Sequence, residues 1–91
     1  MLVEMLRTAL NTVRANLDSP RVLSAELAAT DFVAEHVEHA MDGKTDDWSR
    51  AWLDAARATR RFLRHRSEAN REGWTAAYAA LPPMDGPQDA A

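Results

Sequence analysis

Leu2, Leu6, Ala9, Leu10, Val13 and Leu17 fall within one narrow sector when the chain is turned at about 100° per residue, and Glu4, Arg7, Asn11 and Arg14 lie opposite. This repeat commits residues 2–17 to an amphipathic helix with one face to bury. Asp18-Ser19-Pro20 interrupts it, and Ser19 and Pro20 suit the N-cap and first position of a following helix. That second helix is expected over 20–42, ending at Gly43, a residue free to adopt the left-handed conformation that closes helices. Its apolar surface is wider: Leu23, Leu27, Val33, Val37 and Met41 form one stripe, and Ala25, Ala29, Phe32 and Ala40 an adjoining one. A sector of more than about 180° predicts a helix packed on two sides and the most buried of the set.

Thr45-Asp46-Asp47 brings capping oxygens and acids to the start of a third helix over 46–65, where Trp48, Trp52, Ala55, Ala56, Phe62 and Leu63 share a face. From Arg64 to Glu72 only Ala69 is apolar. One helix running unbroken to Leu81 would span about 54 Å. A compact monomer of this size is about 30 Å across, so such a rod would require a dimer. The reading adopted is a break at residues 65–67, with Ser67 capping a fourth helix over 68–81 that carries Trp74, Ala77, Tyr78 and Leu81. Pro82-Pro83 ends it, and residues 82–91 are expected to form a disordered tail. The expected fold is all-α: a small bundle of three to four helices in one domain over residues 1–81. At this length a core is thin, and dimerisation would add buried surface.

Several chemistries lack their parts. The chain has no cysteine, hence no disulfide, thiolate metal site or cysteine nucleophile. No apolar run reaches the roughly 18 residues of a membrane span, and the early Glu4 does not suit a signal peptide, so a cytoplasmic chain with no membrane partner is expected. The isolated Gly43, Gly73 and Gly86 make no phosphate-cradling loop, and Ser19, Ser24, Ser49 and Ser67 have no nucleophile elbow around them. Asp31, Glu35, Glu38 and His39 share one helix, but the Glu-x-x-His pattern of carboxylate-bridged metal bundles is absent: Glu35 is followed at that spacing by Glu38, and His36 by His39. No catalytic residue, metal or cofactor is expected. His36, beside Phe32, is expected to be a core histidine satisfied by one hydrogen bond.

Charge is segregated. Residues 24–47 hold seven carboxylates against one lysine, and residues 50–71 hold seven arginines against two carboxylates. Arg50, Arg57, Arg61 and Arg64 fall within about 60° of one another, opposite the Trp48/Trp52/Phe62 face, while Asp31, Glu35, Glu38 and Asp42 form a second stripe. Two rows that point away from the apolar faces are not expected to meet within one hairpin, which leaves them for another molecule. The expected function is therefore a non-catalytic protein-interaction module with a regulatory, adaptor or inhibitor role. Its candidate partner-binding residues are Arg50, Arg57, Arg61 and Arg64 together with an aromatic face, Trp74 and Tyr78. The partner would be an acidic protein or a second copy of the chain in a homodimer.

The alternative is nucleic-acid binding or cleavage. The net charge of −3 and the acidic second helix disfavour a polyanion, and no aromatic residue interleaves the arginine row as a base-stacking platform would require. Arg60-Arg61-Phe62-Leu63-Arg64-His65 resembles, over these six residues, the Arg-x4-His spacing of the HEPN ribonucleases. That resemblance implies a helical dimer with a composite site, Arg60 stabilising a phosphate and His65 acting in proton transfer.

Overall fold

The computed structural model describes residues 2–17 and 24–84, with side chains from residue 28 onward in the second stretch. Among them are four helices and no strand: α1 (Leu2–Ala15), α2 (Ser24–Met41), α3 (Asp47–Arg64) and α4 (Glu68–Ala79). The Ser19-Pro20 start expected for the second helix, its Leu23, and residues 85–91 lie outside the described residues, as do the side chains of Ala25 and Leu27.

Local chemistry sets the boundaries. The Asp46 carboxylate accepts from Ser49 N–H at 2.9 Å and caps α3, and this bond holds its pKa below the ordinary carboxylate value. Gly43, at φ 78°, makes the turn after α2 in the left-handed region. His65, in an extended conformation, ends α3, and Ser67 Oγ caps α4 by accepting from Asn70 N–H at 3.1 Å. The break at residues 65–67 is therefore present, and it folds α4 back along α3. Asn70 Nδ2 fixes the corner by donating to the His65 carbonyl at 2.8 Å. Beyond α4, the Pro83 carbonyl accepts from Trp48 Nε1–H at 2.7 Å, which ties residues 81–84 to the start of α3.

The helix at the centre of the bundle is α3. It packs on α2 along one flank and α4 along the other, while α1 lies mainly against α2. Its buried face comprises Ser49, Trp52, Leu53, Ala55, Ala56, Thr59 and Phe62, and it meets Leu6 and Leu10 of α1, Val37 of α2 and Trp74 of α4 in one core. Thr59 stands in the middle of this face, fully buried. Its hydroxyl donates to the Ala55 carbonyl at 2.7 Å and accepts from Trp74 Nε1–H at 3.0 Å. Trp52 buries its own Nε1–H with no acceptor among the described residues.

The second helix packs on two sides as expected, against α1 and α3, but the expectation that it is the most buried of the set is corrected: among the described residues the larger buried face belongs to α3. Thr30, Ala34, Val37 and Met41 of α2 are buried, but its adjoining stripe is open: Phe32 is 60% exposed, and Ala29, His36 and Ala40 are exposed. His36 is likewise not a core residue. Its ring lies on Phe32 with centroids 4.2 Å apart, and its Nδ1–H donates to the Phe32 carbonyl at 2.9 Å on the surface. The apolar width of this helix exceeds what α1 and α3 can cover, so one strip of it is left facing solvent.

Candidate functional site

Arg57, Arg61 and Arg64 lie at i, i+4 and i+7 on α3, so their guanidiniums stand in one row along the side turned from the core. Together with Arg60, His65 and Glu38 they line a shallow depression of about 340 Å³ between α3 and α2. Arg57, Arg61 and Arg64 are exposed and have no carboxylate within 4 Å among the described residues. Arg50 is exposed too, but it sits about 10 Å up the helix from Arg57 and does not line the depression.

Arg60 behaves differently from its neighbours. Its side chain is 17% exposed and reaches across to α2, where Nε donates to Asp31 Oδ1 at 3.1 Å and Nη1 to Glu38 Oε2 at 2.7 Å. Burial opposes its charge, but the two carboxylates outweigh that cost and hold its pKa above the ordinary arginine value. The acidic stripe of α2 thus finds a partner on α3 within the chain, although it does not meet the Arg50/57/61/64 row. The residue that joins the two helices is the arginine standing outside that row. Glu38, the one carboxylate lining the depression, is occupied by this bond, so the rim keeps a surplus of positive charge.

The aromatic half of the expected docking face is corrected. Trp74 is 2% exposed: its ring packs near Phe62 and its Nε1–H is bonded to Thr59, so it presents no surface to a partner. Tyr78 is half-buried, stacked on Trp74 at 5.1 Å, and its hydroxyl donates to Asn11 Oδ1 at 2.6 Å. Arg7 and Arg14 of α1 lie over its ring, at 4.8 Å and 5.5 Å from the centroid. These two aromatics hold α4 to α3 and α1. What remains of the candidate site is its arginine part.

Arg60 and His65, the pair in the Arg-x4-His spacing, do line the same depression, but the Arg60 guanidinium is bound by two carboxylates of its own chain. A phosphate would have to displace both. Asp31 and Glu38, also considered as metal ligands, are the partners of Arg60, and no cluster of three or more metal-ligating side chains occurs among the described residues. No family model matches the chain, and neither a curated protein nor a solved structure is similar to it.

Proposed function

We propose that this chain is a non-catalytic protein-interaction module that captures an acidic partner on the rim formed by Arg57, Arg61 and Arg64. The observation that carries the reading is the contrast along one helix: Arg60 is neutralised from within, whereas the three arginines around it have no carboxylate within 4 Å among the described residues. Their tips follow one another at about 6 Å and 4.5 Å of helix rise, a spacing that a partner helix with carboxylates at i, i+4 and i+7 reproduces. Guanidiniums bind such carboxylates through paired, planar hydrogen bonds. Among the described residues no Phe, Trp or Tyr lines the depression, and the chain's net charge of −3 works against a polyanion. A cytoplasmic setting is part of this reading, consistent with a chain that has no cysteine.

The test uses the full chain as bait in extract of its native host, before and after nuclease treatment, beside the double variant Arg57→Glu/Arg61→Glu. The expected result is a nuclease-resistant protein partner that carries an acidic helix, is lost with the variant, and is released by raised salt. Circular dichroism should show the variant folded. Capture that is unchanged in the variant, capture of nucleic acid alone, or unfolding of the variant refutes the proposal.

A further inference from the structure

The depression between α2 and α3 has a chemistry more specific than positive charge. Arg57, Arg61 and Arg64 stand within about 60° of one another on α3, and His65, the residue that ends the helix, lines the same hollow. Side chains at i, i+3 and i, i+4 are neighbours, so long arginine side chains at these positions can converge on one group. All four residues are exposed. The lining carboxylate is Glu38, which Arg60 already holds at 2.7 Å; Asp54, one turn before Arg57, does not line the depression. Like charges at these spacings repel by about 0.2–0.5 kcal/mol per pair. Although α2 brings Asp31, Glu35, Glu38 and Asp42 to the neighbouring helix, its ion pairs with α3 go to Arg60 and leave the row uncompensated among the described residues.

We infer that this depression binds a phosphate monoester on the partner, a phosphoserine or phosphothreonine in its acidic segment, through Arg57, Arg61 and Arg64 with the His65 ring beside them. The inference rests on the acidic-partner reading above and narrows it. A carboxylate offers one charge and two oxygens in a plane. A phosphate monoester offers a charge of about −1.5 to −2 at one point and three acceptor oxygens, which several guanidiniums can share. The Arg60 bridge stays intact beneath it and keeps Glu38 from competing for the row. Nucleic acid brings the same group as an extended run of charges, which suits a chain of net charge −3 poorly. Among the described residues no Phe, Trp or Tyr lines the depression to stack a base.

Three synthetic peptides test this with the full chain: one acidic helix-forming sequence with phosphoserine, serine or glutamate at its centre. By fluorescence anisotropy the phosphoserine peptide should bind at least about tenfold tighter than the other two. Its addition should move the Nε–H signals of Arg57, Arg61 and Arg64 in nuclear magnetic resonance spectra. Arg61→Gln and Arg64→Gln should each lose at least about tenfold in phosphopeptide affinity with helical circular dichroism unchanged. Arg61→Lys should recover only part, because an ammonium lacks the planar fork. Arg50→Gln, the same change outside the depression, should bind like wild type. Equal binding of the three peptides, an equal loss in Arg50→Gln, inorganic phosphate bound as tightly as the phosphopeptide, or a preference for an oligonucleotide would each overturn the inference. Phosphatase treatment of the host extract separates it from the reading beneath it. Capture lost on treatment supports the phosphate, and capture that survives overturns this inference alone. No capture from untreated extract overturns the acidic-partner reading and the inference with it.

Discussion

Replacing Thr59 with Val exchanges a hydroxyl for a methyl group at the centre of the buried face of α3, with little change of shape. The Ala55 carbonyl keeps its helical hydrogen bond, but the Trp74 indole N–H loses its acceptor at a site where the residue is 2% exposed. A donor stranded in this way costs about 1–3 kcal/mol. The added methyl returns up to about 0.8 kcal/mol, so the net loss is about 1–2 kcal/mol. A domain of this length has a total stability of about 5–14 kcal/mol. The loss lowers the melting temperature by roughly 4–16 °C. Urea unfolding followed by circular dichroism should show a lower midpoint and an unchanged slope. The decisive comparison is a double-mutant cycle with Trp74→Phe, which removes the donor. In that background Thr59→Val should be neutral or slightly stabilising, giving a coupling of about 1–3 kcal/mol. Equal cost in both backgrounds would show that the hydroxyl–indole bond is not what Thr59 contributes.

Two further predictions concern charge. Arg60→Met should destabilise by about 1–3 kcal/mol, because both charge-assisted bonds to α2 go at once. Arg60→Lys should keep part of that stability, since an ammonium cannot fork across two carboxylates, and both losses should shrink in high salt when measured by thermal melts. Asp46 gives a pH dependence of known sign. Its pKa is lowered in the folded chain, so its contribution is complete above the ordinary value of 3.8 and disappears as pH falls through the lower, folded value. Asp46→Asn retains a capping oxygen that does not titrate. Stability measured against pH should therefore fall less steeply below about pH 4 in this variant.

What the sequence made legible was local. The period of α1, the Asp46 and Ser67 caps, Gly43 after α2 and the break before Glu68 are each decided within four or five residues of chain, and each stands in the structure. Arg60 was not legible, because its partners lie 29 and 22 residues away on a different helix and only the packing of α2 on α3 brings them within reach. The only hint was negative: Arg60 stands outside the row that faces solvent. Thr59 escaped notice because it is polar, although it occupies the centre of an apolar face. Trp74 and Tyr78 were placed on one side of the last helix but read as a face kept for a partner. Periodicity alone does not tell an aromatic that joins the core from one kept for a partner, and the Nε1–H bond to Thr59 makes Trp74 a core residue.

The second stripe of α2 shows the same limit from the other side. A helical period reports which directions around a helix are apolar and says nothing of whether the same chain supplies a cover for each.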